Sequence, residues 1–139
     1  MKRSLILIAA ALLTLSLSMA ASAQEPSITA RIPFDFYVGN TRIPAGVYVI
    51  ESPRSGLQVI RDKNTNLSVA SVATIPLTTA ETLARGALVF NCYGDDRFLS
   101  QVLWGGTSFG RAIVKRGMEA ELARNNPHAN AMRVVTGQQ

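Results

Sequence analysis

The chain has 139 residues, a formal charge of +5, one cysteine (Cys92) and one histidine (His128). This length supports one hydrophobic core rather than two. A single Cys and a single His are too few for an internal disulfide or a Cys/His metal centre, so we predict neither a metal nor a cofactor. The basic residues are scattered without a dense run, which argues against a nucleic-acid partner.

The N-terminal segment has the organisation of an export signal. Lys2 and Arg3 precede an apolar run over residues 5–17, and residues 21–23 (ASA) have the small-x-small form of a signal peptidase site. We therefore predict that residues 1–23 are a cleaved signal peptide and that no transmembrane anchor remains after cleavage. The mature chain is then periplasmic or extracellular, and its charge falls to +3 because the two basic residues leave with the signal.

The clearest pattern lies in residues 27–51 and predicts a hairpin. Apolar and polar side chains alternate along residues 28–38, which is the period of a strand with one buried face. A turn follows, in which Pro44 pre-sets φ and Gly46 takes a positive φ. Residues 47–50 then return antiparallel to the first strand.

Shorter patterns predict two further strands after this hairpin. Residues 57–61 alternate between apolar and polar side chains. Residues 67–75 are rich in Val, Ala, Ser and Thr and are predicted to end at Pro76. Residues 78–86 are compatible either with one helical turn or with a plain loop.

Residues 87–104 predict a second hairpin. Its strands cover residues 87–93 and 97–104, and Gly94 opens the turn between them. Leu88 and Phe90 of the outgoing strand are expected to face the core, as are Phe98, Val102 and Trp104 of the return strand. A bulge in this hairpin would shift the facing of the intervening residues by one.

The C-terminal part changes in character. Residues 109–114 predict a short edge strand. Met118 and Leu122 lie one helical turn apart after Arg116, which predicts a short amphipathic helix. Residues 126–139 have no lasting periodicity and are predicted to form a flexible tail.

These elements together predict a mainly β fold. We expect a small antiparallel β-barrel or β-sandwich of about six strands with a short C-terminal helix. The predicted organisation is a signal peptide over residues 1–23, one β-rich domain including the helix over residues 24–125, and a tail over residues 126–139.

Several short motifs resemble a family of small exported bacterial β-rich proteins of unassigned function. The resemblance covers residues 28–124 and implies that an export signal and a compact β domain are the common design. It carries over no catalytic or binding residue. Gly117 departs from the expected pattern, since a helix former is expected near the start of the short helix. The motifs are PFDF at 33–36, VG at 38–39, PAG-x-Y at 44–48, LVF at 88–90, YGD at 93–95 and EAELA at 119–123.

No catalytic set is predicted. Asp95 and Asp96 are adjacent turn residues, whereas glycoside hydrolysis needs two carboxylates held across a substrate. Cys92 is expected to be a small buried side chain, and His128 falls in the predicted tail without partners. The glycine-rich run GGTSFGR at residues 105–111 lacks the Lys-Ser or Lys-Thr of a phosphate-binding loop.

Asp35 lies between two phenylalanines and is predicted to have a structural role. Its carboxylate is expected to pair with Arg31 or Arg42, or to accept hydrogen bonds from backbone donors in the following loop. The other residues with a predicted structural role are Pro44, Gly46 and Gly94.

A partly exposed aromatic platform that stacks on a sugar or a peptide is the predicted kind of binding site. Its candidate residues are Tyr37, Tyr93 and Trp104, together with Arg97. Trp104 also fits a plain core position on its strand.

The leading functional hypothesis is an exported, non-enzymatic module that binds a protein or a cell-surface component. One alternative is a small periplasmic hydrolase that uses Asp35, Asp95 or Asp96. Another is a carrier that holds a small apolar ligand in a lined barrel interior, which requires an apolar cavity of a few hundred Å³.

Overall fold

A computed structural model describes residues 27–136 of the chain. The predicted signal peptide and its cleavage site lie outside the described residues. The described part is mainly β with one short helix near its C-terminus, as predicted. Within residues 27–136, that helix falls short of the length and apolarity needed to cross a membrane.

Ten strands and one helix follow one another along the described residues. The strands belong to one continuous sheet, in which β1, β4, β5, β6, β9, β8, β2 and β3 are neighbours in that order, while β7 pairs with β8 and β10. Their bounds are β1 Ser27–Ile32, β2 Phe36–Val38, β3 Thr41–Ile43, β4 Gly46–Arg54, β5 Leu57–Asp62, β6 Ser68–Thr78, β7 Ala87–Tyr93, β8 Asp96–Leu103, β9 Phe109–Ile113, helix α1 Gly117–Asn125 and β10 Asn130–Val135.

The predicted number of about six strands and the predicted closed barrel are both wrong. The sheet has ten strands among the described residues and is open, because the order β1 to β3 does not return to its start. Several short strands were merged or missed by the sequence pattern. The open, mainly β arrangement is compatible with the sandwich that was the other predicted architecture.

The first predicted strand, over residues 28–38, is divided in two. The chain leaves the sheet at residues 33–35, beginning at Pro33, which has no N–H to continue a ladder. Before the break, β1 pairs with β4 as the hairpin prediction requires, with Ile28 opposite Ile50. After it, β2 pairs with β3 and meets β8 in parallel.

Strand β6 continues through Pro76, contrary to the predicted end there. Residues 68–73 pair with β5, whereas residues 74–78 pair with β9, so each half of β6 is paired on one side only. A proline is tolerated in such a strand because its missing N–H need not serve a second ladder. Strand β6 therefore belongs to both halves of the sheet. One half contains β1, β4 and β5, and the other contains β9, β8, β7, β10, β2 and β3.

The second hairpin is confirmed, and it contains a bulge. Val89 lies opposite Gln101 and Phe90 opposite Leu99, so Ser100 has no partner in the register. Gly94 has a φ of +64° in the turn, as a tight hairpin turn requires. Strand β9 pairs with both β6 and β8, so it is not the predicted edge strand.

One apolar cluster fills the core side of the sheet. It takes side chains from strands of both halves, and rings within it meet edge to face, as Phe36 and Phe90 do at 5.5 Å between centroids. The buried members of the cluster are Ile28, Ala30, Ile32, Phe36, Val38, Ile43, Tyr48, Ile50, Ile60, Leu88, Phe90, Leu99, Val102 and Ile113.

Helix α1 lies against the face of β7 that points away from the core cluster. A polar residue attaches it to that strand. Its buried side chain is Glu119, whereas Met118, the predicted apolar anchor, is 38% exposed. The Oε1 atom of Glu119 accepts hydrogen bonds from Asn91 Nδ2 at 3.0 Å and from the Tyr93 hydroxyl at 3.3 Å. At the helix start, Asn40 Oδ1 accepts the Met118 N–H at 3.2 Å and serves as the cap.

The predicted tail contains a strand. Residues 130–135 form β10, which pairs antiparallel with β7 over its whole length. Thr136 then donates from its N–H and its hydroxyl to the Gly86 carbonyl, at 2.9 and 2.8 Å. These bonds attach the C-terminal segment to the connection over residues 79–86, which is a loop rather than a helical turn.

Candidate functional site

The predicted aromatic platform does not form one surface. Tyr37 stacks on Phe98 with the ring centroids 4.8 Å apart, and Tyr93 meets the same ring edge to face at 5.8 Å. Tyr93 is buried and its hydroxyl is bonded to Glu119. Both tyrosines therefore pack on Phe98 within the fold, and among residues 27–136 Trp104 is not one of their ring partners.

Arg97 also has an internal partner. Its guanidinium lies 4.7 Å from the centroid of the Phe34 ring, and that ring meets Phe90 edge to face at 5.1 Å. This is a cation–π contact at the margin of the core. The geometry gives Arg97 a packing partner within the fold.

Asp35 makes two of the contacts that its position predicted. Its Oδ2 atom accepts a hydrogen bond from Arg42 Nη2 at 2.9 Å, and its Oδ1 atom accepts the Ala45 N–H at 3.0 Å. The carboxylate therefore joins β3 to the turn before β4. Pro44 contributes its carbonyl, which accepts the Tyr48 hydroxyl at 2.7 Å.

Gly46 has a different role from the predicted one. It is the first residue of β4 and is not among the described glycines with positive φ. A Cβ atom at Gly46 would lie 3.3 Å from the Tyr48 ring. The glycine thus makes room for this ring beside the Pro44 turn rather than supplying a left-handed conformation.

The residues considered for catalysis or metal binding lie apart from any assembled site. Asp95 is exposed in the hairpin turn, and Asp96 opens β8 opposite Tyr93. Cys92 is half-buried in β7, and His128 is exposed between α1 and β10. Within residues 27–136, no three His, Cys, Asp or Glu side chains are grouped so that they could hold a metal ion.

A cleft of about 700 Å³ lies beside Trp104, and we call it the Trp104 cleft. It is formed by the C-terminal half of β6, by β9, and by the corner that joins β8 to β9. The wall that residues 27–136 give it is mostly apolar and contains no carboxylate. The lining residues are Ser52, Pro76, Leu77, Thr78, Trp104, Gly105, Thr107, Phe109, Gly110 and Arg111.

The register of β6 and β9 explains why the cleft lies there. Thr74 and Ile113 are opposite each other and both are buried. Alternate residues of a strand share a face, so the next pairs in register, Pro76 with Arg111 and Thr78 with Phe109, point to the same side. The Trp104 cleft therefore continues the core side of the sheet beyond its last apolar layer.

Two polar side chains are buried near the cleft without lining it. Gln58 is fully buried on β5 and donates to Ser52 Oγ, which lines the cleft, while its Oε1 atom has no partner among residues 27–136. Thr74, which precedes Pro76 by two residues on β6, is buried with its Oγ1 atom also unpaired. Buried polar atoms are nearly always paired, so these two atoms are exceptions.

Trp104 itself presents an unpartnered donor. Its Nε1 atom is buried and forms no hydrogen bond with the described residues. Its side chain lines the Trp104 cleft on one side and a second cavity of about 290 Å³ on the other, near Ile28, Gly86 and Thr136. An indole N–H left unpaired out of water costs roughly 1–3 kcal/mol.

Arg111 and Phe109 give the cleft its remaining chemistry. The side chain of Arg111 is half-buried, and its guanidinium makes no hydrogen bond or ion pair with the described residues, unlike those of Arg42 and Arg61, which pair with Asp35 and Glu51. Phe109 is 66% exposed, which is unusual for a ring on an inward-facing register position. The cleft thus combines a free cation with open apolar surface.

The sequence analysis identified Trp104 but missed its neighbours. Pro76, Leu77 and Arg111 join the cleft only because β6 pairs with β9, which no local pattern reveals. One signal was present in the glycine-rich run: a Cβ atom at Gly110 would lie 2.7 Å from the Val102 carbonyl oxygen. That glycine allows β9 to approach β8 closely.

Comparisons of the chain with family models, with curated proteins and with solved structures found no match. The resemblance to a family of small exported proteins therefore stays a prediction.

Proposed function

We propose that the mature chain is an exported, non-enzymatic binding module that takes a small, largely apolar ligand in the Trp104 cleft. The observation that carries this proposal is an open, mostly apolar cleft whose lining holds one half-buried cation, Arg111, that has no partner among residues 27–136. Small-molecule sites typically have this composition: a mostly apolar lining with a few placed polar groups.

The size of the cleft supports a small ligand. Its volume of about 700 Å³ falls within the range of roughly 300–1,000 Å³ that is common for such sites. The core cluster fills the space beneath Thr74 and Ile113, so the ligand binds at the end of the sheet rather than inside a closed shell. The proposed site differs from that of the predicted carrier, which required a lined barrel interior, because the sheet is open and its core side is packed.

Trp104 provides the readout for a direct test, because it is the only tryptophan in the chain. Purified mature protein is titrated with a panel of small apolar and amphipathic compounds while the emission of Trp104 and the melting temperature are followed. We expect a shifted emission maximum and a higher melting temperature with those compounds that bind.

Two exposed apolar residues supply a matched pair of variants. Phe109→Ala removes a ring from the cleft, whereas Ile75→Ala removes an apolar side chain from the same region of the sheet outside it. We expect the first to weaken binding several-fold and the second to leave it unchanged. Equal effects of the two substitutions, or a panel without any binder, would contradict the proposal.

Export is tested separately by mass spectrometry of the mature N-terminus. The proposed cleavage leaves Gln24 as the first residue, which is prone to cyclise. Recovery of an intact Met1 from the secreted or periplasmic fraction would refute this part of the proposal.

A protein partner is a second candidate, because β10 ends the sheet with one unpaired side. Among the strands of residues 27–136 it pairs with β7 alone, and it exposes Met132 and Val135. An extended segment of a partner can add to such an edge by backbone pairing. A photo-reactive amino acid at Ala131 should then give a defined cross-linked product in cells, and the same group at Asn64 in the β5–β6 turn should not. Identical labelling at both positions would count against this candidate.

A further inference from the structure

We infer that the ligand of the Trp104 cleft is an amphiphile with an apolar body and one carboxylate, and that Arg111 binds the carboxylate. This inference rests on the proposed function and specifies the chemical class of its ligand. It is carried by the charge and hydrogen-bonding character of the cleft.

The first step concerns the charge of the cleft. Arg111 is the one charged residue in its lining. A half-buried guanidinium loses part of its hydration, and this loss is normally offset by a carboxylate or a ring. The other half-buried arginines of residues 27–136, Arg61 and Arg97, have such partners. An anionic ligand would provide the missing partner for Arg111.

The second step concerns hydrogen-bond polarity. The guanidinium of Arg111 is a donor only, so it suits a group that offers acceptors only. An ionised carboxylate is such a group, and its two oxygens match the planar fork of an arginine. An ammonium group would bring further donors and a like charge to the same place.

The third step concerns the rest of the ligand. Phe109, Leu77 and Pro76 provide apolar surface next to Arg111, with no second cation in the lining. One cation suits one anionic group, and the open apolar surface suits a hydrocarbon body. The ligand is thus a monocarboxylate rather than a dicarboxylate or a sugar.

Three probes that differ only in the head group test this inference: decanoate, decan-1-ol and decylamine, each below its micellar concentration. Binding to the mature wild-type protein is measured at pH 7 by Trp104 fluorescence and by calorimetry. We expect decanoate to bind at least about ten-fold more tightly than decan-1-ol, since hydrogen bonds to a charged group are stronger than those to a neutral group. Decylamine should bind more weakly than decan-1-ol.

Two arginine variants locate the effect. Arg111→Gln should abolish the preference for decanoate and leave the binding of decan-1-ol in place. Arg31→Gln makes the same change of charge on exposed β1, away from the cleft, and should keep the preference. The comparison of the three probes on wild-type protein decides the inference even where a variant does not fold.

The outcomes separate this inference from the proposed function. Equal affinity of wild-type protein for decanoate and decan-1-ol would overturn the carboxylate inference, while the cleft would still be a ligand site. A decanoate preference that Arg111→Gln and Arg31→Gln reduce equally would also overturn it, because net charge rather than Arg111 would then explain the effect. Failure of all three probes would overturn the inference, and the wider panel would decide on the proposed function.

Discussion

Asp35 shows how one exposed carboxylate can organise a turn. The hydrogen bond from the Ala45 N–H is the main reason why the pKa of Asp35 lies below its ordinary value. The Arg42 guanidinium lowers this pKa further through its hydrogen bond and its charge. Desolvation acts in the opposite direction and is outweighed. The folded state therefore favours the ionised form of Asp35.

This lowered pKa leads to a prediction about pH. A group with a depressed folded-state pKa stabilises the fold above its unfolded pKa, near pH 4, and that stability is lost as the pH falls through the folded pKa. Wild-type protein should therefore melt at a higher temperature than Asp35→Asn at pH 7, and the difference should shrink in acid. Melting curves from pH 7 to pH 2 measure it.

Asp95→Asn is the control for this pH series. The Asp95 carboxylate forms no hydrogen bond or ion pair with the described residues, although it also lies in an exposed turn. We expect little change in melting temperature at either pH. A constant difference between wild type and Asp35→Asn over the whole range would show that the Asp35 contacts contribute nothing through ionisation.

Among the elements, α1 is the one whose docking differs most from expectation. Its existence was predicted from Met118 and Leu122, on the assumption that apolar side chains face the sheet. The surface of β7 on that side presents Asn91 and Tyr93, so the residue that docks is a carboxylate that accepts from both. A hydrophobic pattern cannot reveal a contact of this kind.

Glu119→Ala should therefore destabilise the protein. It leaves the Asn91 amide and the Tyr93 hydroxyl without their acceptor, which costs roughly 1–3 kcal/mol in the free energy of unfolding. Glu119→Gln keeps an acceptor oxygen and should cost less. Urea denaturation measures all of these values.

The matched control is Glu121→Ala on the exposed side of the same helix. It changes the helix charge and propensity as Glu119→Ala does, but it removes no contact to the sheet. We expect a change within about 0.5 kcal/mol. Equal losses at positions 119 and 121 would mean that helix propensity, and not docking to β7, explains the effect.

At the scale of the whole molecule, the sequence predicted those strands whose side chains alternate. The pairing of β1 with β4 and of β7 with β8 follows from apolar residues such as Ile28, Ile50, Leu88 and Phe90, all of them buried. The break between β1 and β2 was missed because Phe34, which lies in the break, continues the alternation of apolar and polar residues. Alternation records which way a side chain faces and not whether the backbone stays in a ladder.

Strand β10 and the Trp104 cleft were missed for a related reason. Most residues of β10 are exposed on both faces, so its sequence carries no alternation, and backbone pairing with β7 alone defines it. The cleft depends on β6 lying next to β9, a contact between distant parts of the chain. Long-range pairing of this kind is not encoded in any local window of sequence.

Removal of residues 127–139 tests the role of β10. A tail could be removed at little cost, whereas the structure predicts the loss of a six-residue pairing with β7. Each backbone hydrogen bond contributes roughly 1 kcal/mol, so the loss approaches the roughly 5–15 kcal/mol of a typical domain. We expect an aggregation-prone or unfolded product, seen by circular dichroism and gel filtration.

Val135→Ala in the full-length chain is the comparison for this truncation, since it alters an exposed side chain of β10 and keeps the strand. It should remain folded with a nearly unchanged urea midpoint. A truncated protein with the wild-type midpoint would show that residues 127–139 behave as the predicted tail.

The pairing of strand β6 with two different neighbours determines how the molecule unfolds. Between Ala73 and Thr74 it exchanges its β5 neighbour for its β9 neighbour, so the two halves share one uninterrupted piece of backbone. Neither half can melt without fraying the strand that the other half needs. Heat should accordingly produce a single endotherm in which the calorimetric and van't Hoff enthalpies agree.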